Sequence, residues 1–500
     1  MPEPQKRHCW ECLRRRLVCD NGHPGCSRCA VSGIDCPGYD AKQPMRLRWL
    51  APGRVKSRQR KNGVNRQKTG KASTEIFQKD SSDEERVVVV PRTKIKPQID
   101  PLLDAYEYFN VQIFPNLYQK LRLGSNANIY KIQPRMLQSG IQYPDHLRLG
   151  LVCMTLSHRM NRMGHDPDSK PLERSLYHYR GIMIRSLNDQ LNSLNKHNSN
   201  ATLIGTLILL LADAQQGIAQ HWRYHLEGAR RIIMLQGGMY QSNLSPGVLP
   251  IILCFIYHTV IGDTSSPATD MLVEKLPLEE LYLMLEQYGG NGYGFQMCPT
   301  PLFIEIVKIN HIRARASRAG PIEEDDLRRE AWEALCRIYA FSSEEWSEAN
   351  DRFTDASILL SKIYQSAVAL YCISSCQSLG ILPPDHLLNN NCSMEAGILH
   401  GLLYEAATQH ESTGILGYSL WPLMVLGVEA RDGGSDPRAF VIGNLKDLSV
   451  STGTYCPLAA KEVLESLWAS GETGWDVCFD KPYLFTSVLT VNRGQWTNHN

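Results

Sequence analysis

The 500-residue sequence predicts two unlike parts joined by a linker. One is a small amino-terminal module of two short helices clamped by six cysteines. The other is a large all-α domain, and the basic stretch between them reads as disordered. Three observations predict this. A cysteine spacing occurs twice near the amino terminus, and the chain's charge is split between its ends. Beyond residue 100, apolar residues recur at helical intervals while strand-like alternation is scarce. The boundaries fall at 1–40 for the module, 41–99 for the linker and 100–500 for the helical domain. A chain of this length suggests roughly two to four folding units.

The module rests on "CWECLRRRLVC" (Cys9 to Cys19) and "CSRCAVSGIDC" (Cys26 to Cys36), which share the spacing C-x2-C-x6-C. The ligand candidates are therefore Cys9, Cys12, Cys19, Cys26, Cys29 and Cys36. The chain has 15 cysteines, an odd number, and its opening "MPEPQKRHCW" has no apolar signal core. Both point to a reducing compartment, where thiols bind metal more readily than they pair. Apolar runs such as Leu207 to Ala212 fall far short of the roughly 20 residues of a membrane span, so no membrane partner is expected. Cys372 and Cys376, one helical turn apart among apolar neighbours, read as core.

Thiolate is a preferred zinc ligand, and structural zinc takes four ligands in a tetrahedron. Two Zn2+ ions then need more metal–sulfur bonds than six sulfurs supply singly, and the difference closes if two sulfurs bridge. The first cysteine of each copy, Cys9 and Cys26, is the candidate, although spacing alone leaves alternatives. His8 and His23 are available for two separate Cys3His sites, though His8 adjoins Cys9, an awkward pairing on one metal. A disulfide framework is the other rival. About 30 residues cannot bury a sufficient apolar core, so folding of the module is expected to depend on the metal.

These residues resemble the fungal-type binuclear zinc cluster, Zn(2)-C6, transcription factors. That pattern commonly has a proline two residues before the fourth cysteine, and Pro24 stands there. The extension "CPGYDAKQPMRLRW" looks like a subgroup in which Pro-Gly-Tyr follows the last cysteine. The resemblance implies bridging by Cys9 and Cys26. It also places the base-reading pair at the third and fourth residues after the second cysteine, here Arg15 and Arg16, and implies CGG-like triplets read in the major groove. Arginine suits that task, because its planar fork pairs with guanine O6 and N7. The second copy carries the uncharged "AVSGI" in the equivalent stretch, so only one half of the module is equipped to meet base edges. Leu13 and Val18 depart from the family, which often has basic residues at both places. Arg14, Arg28, Lys42, Arg46 and Arg48 are candidate phosphate contacts.

Charge supports double-stranded DNA as the partner. Residues 1–72 hold 17 Lys+Arg and 5 Asp+Glu, a balance of +12, and the remainder holds 36 and 46, a balance of −10. A polyanion-binding arm on an acidic body is the reading, with the body excluded from nucleic-acid contact. Residues 41–72 carry eleven basic residues and few apolar ones, as a disordered tail does. Such a tail tracks phosphates without reading sequence, and equally serves as a nuclear localisation signal. No sustained heptad pattern runs between Lys42 and Pro101, so a homodimer is compatible with the sequence without being indicated by a coiled coil.

In the body, Leu172, Leu176, Tyr179, Met183, Leu187, Leu191 and Leu194 form one helical stripe. A second runs through Leu327, Ala331, Leu335 and Ile338 after an acidic start. Asp436–Pro437 predicts a cap followed by proline at the first helical position. The stretches "SLNDQLNSL", "HWRYHLEGARRIIMLQGG" and "WPLMVLGVEA" resemble the fungal-specific transcription factor regulatory domain of the second type. That resemblance implies a helical array that regulates activation, contacts coregulators or the transcription machinery, or responds to a metabolite.

Enzyme signatures are missing. His221 and His225 lack the glutamate of H-E-x-x-H and any third ligand, and "HESTG" at His410 lacks a second histidine. "GGNGYG" and "GVNRQKTGK" have the wrong glycine spacing for dinucleotide or P-loop binding, and no G-x-S-x-G occurs. The expected function is zinc-dependent, sequence-specific regulation of RNA polymerase II genes in the nucleus. A fungal metabolic or secondary-metabolite pathway is an output compatible with the resemblance. The alternative is a nuclear interaction protein or corepressor that binds DNA weakly and without sequence preference.

Overall fold

A computed structural model describes residues 8–15, 17–34, 36–39, 99–115, 131–163, 169–193, 199–217, 222–240, 248–288, 298–318, 323–349, 355–408, 415–430 and 435–485. Among them there are helices, turns and bends but no strand. The chain divides into two compact units, Met1–Val89 and Val90–Asn500. The expected linker lies outside the described residues except for Ile99, which begins the first body helix.

In the module, α1 spans Trp10–Arg15 and α2 spans Ser27–Val31. The duplicated spacing is a duplicated backbone. Leu13 N donates to Cys9 O (2.9 Å), and its counterpart Ala30 N donates to Cys26 O (3.2 Å). Leu17 N closes onto Cys12 O (2.9 Å) as Ile34 N closes onto Cys29 O (3.0 Å). In each copy the first cysteine's sulfur also accepts the second cysteine's N–H, at 3.4 Å. The copies differ at one cap. Asp20 accepts from Ser27 N (2.9 Å) and Arg28 N (3.4 Å), two orphan donors at the start of α2. The bond from Ser27 above all holds the Asp20 carboxyl down to about 2.

The body begins with α3 (Ile99–Tyr108), extended by a π turn over Phe109–Ile113, and α4 (Pro134–Gly140). It continues with α5 (Asp145–Met163), α6 (Lys170–Leu191), α7 (Asn200–Gln215), α8 (Trp222–Leu235) and α9 (Leu249–Thr264). Then come α10 (Leu278–Tyr288), α11 (Thr300–Ala316), α12 (Glu324–Tyr339), α13 (Ser343–Ala349) and α14 (Asp355–Ser378). The last are α15 (His386–Thr408), α16 (Leu420–Glu429), α17 (Ser435–Thr452), α18 (Cys456–Ser470) and the short α19 (Trp475–Cys478).

Neighbours in sequence pack as neighbours in space, with α5 on α6, α7 on α8, α11 on α12 and α14 on α15. The stripe on α6 buries Leu176, Met183 and Leu187, with Leu172 and Tyr179 packed at its edge. It stops there: Leu191 is exposed at the helix end, and Leu194 lies outside the described residues. On α12, all four stripe residues are buried. Helix α17 starts at Ser435, so Asp436 lies in its first turn rather than capping it, a difference within the usual scatter of helix ends.

Helix α14 is long and apolar enough to cross a membrane by length and composition, and most of it is buried inside the body. Cys372 and Cys376 are among its fully buried residues. The guanidinium of Arg313, on α11, is fully buried and donates to Tyr371 Oη (3.0 Å), Ser266 O (2.9 Å) and Asp476 Oδ1 (3.0 Å). Trp475 Nε1 donates to Thr264 O (2.7 Å), so the same knot ties the carboxy-terminal helix to the end of α9. Both terminal nitrogens of this buried guanidinium are partnered while its Nε is not, and such partners offset the several kcal/mol that an unpaired charge away from water costs.

Candidate metal centre and nucleic-acid interface

The six sulfurs fall into two groups of four: Cys9, Cys12, Cys19 and Cys26, and Cys9, Cys26, Cys29 and Cys36. Within each group all ligand atoms lie within 4.8 Å of one another, and Cys9 and Cys26 belong to both. The separations are 3.6 Å for Cys9–Cys26, 3.8 Å for Cys9–Cys29 and 3.7 Å for Cys12–Cys26. A zinc–sulfur distance of about 2.3 Å sets the edge of a regular tetrahedron at about 3.8 Å. The sulfurs thus stand at tetrahedral-edge distances, and the donor set fits zinc. Cys9, Cys12, Cys19, Cys26 and Cys29 are buried, and Cys36 is partly so. Burial pushes the Cys12 thiol up to about 12 and raises Cys29 as well. Zinc binding at Cys12 and Cys29 therefore displaces a proton from each.

The histidines are engaged elsewhere. His8 Nδ1 accepts the Cys19 N–H at 3.1 Å. His23 stacks on Tyr39 at 4.6 Å and 25° between planes, with Nδ1 facing Asn21 O at 3.1 Å. Neither ring joins a sulfur group, and none of the fifteen cysteines forms a disulfide.

Arg15, the last residue of α1, is exposed, as are Leu13 and Val18 beside it. Arg28 is exposed on α2. The side chain of Arg14 and the whole of Arg16, Lys42, Arg46 and Arg48 lie outside the described residues. The anchoring of α1 is what gives Arg15 a fixed base. Its first turn is pinned to Cys9 by the Leu13 N–H and to the Cys9 sulfur by the Cys12 N–H.

Two contributors escaped the sequence reading. Asp20 caps α2, and only its place before the second copy hinted at this. Tyr39 donates to Gly22 O at 2.8 Å and lies 3.7 Å from Cys19 Sγ; the Pro-Gly-Tyr after the last cysteine was its signal. In the body, His225 Nε2 meets the buried Asp213 Oδ2 at 3.1 Å, and Arg180 clamps the same carboxylate at 2.8 and 2.9 Å. This is a polar core cluster. His221 and His410 lie outside the described residues.

Comparison with known proteins follows the same division. Residues 7–46 match the fungal Zn(2)-Cys(6) binuclear cluster domain, and residues 101–485 match the fungal specific transcription factor domain. The chain is 37% identical over 496 residues to a phomenoic acid biosynthesis cluster-specific transcriptional regulator of Leptosphaeria maculans, covering 98% of this chain and 91% of that one. It is also 48% identical over 44 residues to arginine metabolism regulation protein II of Saccharomyces cerevisiae, covering 9% of this chain and 4% of that one. No solved structure matches.

Proposed function

Because the chain belongs to the fungal specific transcription factors with an amino-terminal Zn(2)-Cys(6) binuclear cluster, we propose that it reads CGG-like triplets in the major groove through Arg15 and Arg16. The protein is a DNA-binding transcription factor that holds two zinc ions, and it is not an enzyme. In our reading Cys9 and Cys26 bridge the ions, Cys12 and Cys19 complete one shell, and Cys29 and Cys36 complete the other. The observation that carries it is the pair of four-sulfur groups sharing Cys9 and Cys26, beside an exposed arginine on the helix those sulfurs anchor.

Arg14, Arg28, Lys42, Arg46 and Arg48 serve as phosphate contacts that set register and affinity without reading sequence. The protein acts in the nucleus on RNA polymerase II genes, and its helical body contacts coregulators. The likeness to a cluster-specific regulator in Leptosphaeria maculans supports control of a biosynthetic gene cluster.

Selection from random duplexes by the zinc-loaded full-length protein, with and without chelator, tests the reading. A CGG-like element should be enriched and should vanish on chelation. Paired half-sites among the selected sequences would identify two copies on one duplex. Uniform, steeply salt-dependent binding with no enriched element would sink the proposal. Arg15→Ala should cost about 1–3 kcal/mol at one guanine and relax specificity there, measured as competition between duplexes differing at that base.

A further inference from the structure

The two closing cysteines, Cys19 and Cys36, hold equivalent places in the two copies, yet their surroundings differ. Cys36 is partly exposed, whereas Cys19 is 5% exposed. The cover includes Tyr39, three residues beyond the last cysteine. Its chain folds back so that the ring stacks on His23 and the hydroxyl faces two acceptors, Gly22 O at 2.8 Å and Cys19 Sγ at 3.7 Å. Gly22 and His23 lie in the connector between the copies, so one side chain closes that connector over one sulfur. On the far side, the Cys19 N–H is fixed by His8 Nδ1.

We propose that Tyr39 is a positioning residue for a single metal, a clasp over Cys19 that slows release of the zinc held by Cys9, Cys12, Cys19 and Cys26. The proposal rests on the two-zinc reading above. Zinc leaves a thiolate site when a proton or a competing ligand reaches the sulfur. The hydroxyl, its proton given to Gly22 O, holds the ring and the connector over that sulfur and restricts the approach of both. Groups that hold ligands in this way typically change metal affinity by about 10–100-fold. Cys19 belongs to only one of the two sulfur groups, so the effect is lopsided. That separates a clasp from a general contribution to folding, which would loosen both ions alike.

The experiment follows zinc transfer from the full-length protein to a colorimetric chelator, for wild type, Tyr39→Phe and His23→Ala. Tyr39→Phe keeps the ring and loses only the hydroxyl. It should release one zinc equivalent about tenfold faster and leave the second at the wild-type rate, and His23→Ala should accelerate the same equivalent. In protein loaded with cadmium-113, Tyr39→Phe should move one of two NMR resonances. Acceleration of both equivalents alike, acceleration of neither, or two unmoved resonances would overturn the clasp. A wild-type protein that binds only one metal equivalent would overturn the two-zinc reading and this proposal with it, and the stoichiometry tells that failure from the others.

Discussion

Cys26 and Cys36 carry the same chemistry and hold different ranks in the sulfur cluster. Cys26 belongs to both groups of four and Cys36 to one. Cys26→Ser should therefore lose both zinc ions and unfold the module, while Cys36→Ser should keep one tightly bound ion. Metal content by native mass spectrometry reads the difference directly. Retention of one zinc and native-like DNA binding in Cys26→Ser would contradict a bridging role. At this scale the six sulfurs were legible because metal chemistry fixes both residue type and spacing. Tyr39 and Asp20 were not, since each acts through a backbone fold that brings it to a partner well separated along the chain. The choice between histidine and bridging sulfur was also beyond counting. The ring positions, with His8 against the Cys19 N–H and His23 against Tyr39, are what support the bridging reading.

Within single elements, legibility depended on where a helix lies. Helix α12 shows its stripe because one face meets water and the other the core. Helices α7 and α9 show none, because they are buried over nearly their full length. Periodicity falls silent where a helix has no polar face, and the same composition makes α14 read as long and apolar.

Burial of α9 carries a consequence for acid stability. His258 is fully buried, its Nδ1–H donates to Cys254 O at 2.7 Å, and its Nε2 has no hydrogen-bond partner. Burial disfavours the imidazolium and lowers this histidine from 6.5 to about 4, with the Cys254 carbonyl opposing only in part. Between those values the unfolded chain holds a proton that the folded chain does not, so stability rises with pH there. The contribution is complete above about pH 6.5 and is lost as pH falls toward 4, amounting to about 3 kcal/mol. Thermal melts at pH 7 and pH 4.5 check it: His258→Gln should lose less melting temperature over that interval than wild type. Equal losses in the two proteins would place the acid sensitivity elsewhere.

At the scale of the whole molecule, the charge split decides which end touches DNA and how salt enters. The chain beyond residue 72 is acidic by 46 to 36, a net charge that disfavours phosphate, so in our reading the contacts fall to the basic amino-terminal stretch. The split was legible from composition, while the relation of sulfur to arginine inside the module required coordinates. Affinity from phosphate contacts arises through released counterions, and each neutralised phosphate steepens the fall of log K with log salt by about 0.9. Replacing Lys42, Arg46 and Arg48 together by glutamine should flatten that slope by about 2.7. The preferred base at each position should stay as in wild type, because the arm carries no base information in our reading. Arg15→Ala is the counterpart, with a changed base preference and a nearly unchanged slope. Titrations of matched and mismatched duplexes at four salt concentrations separate the two behaviours. An unchanged slope in the triple variant would show that these three residues do not meet phosphate. A changed base preference there would move part of the readout from α1 into the arm.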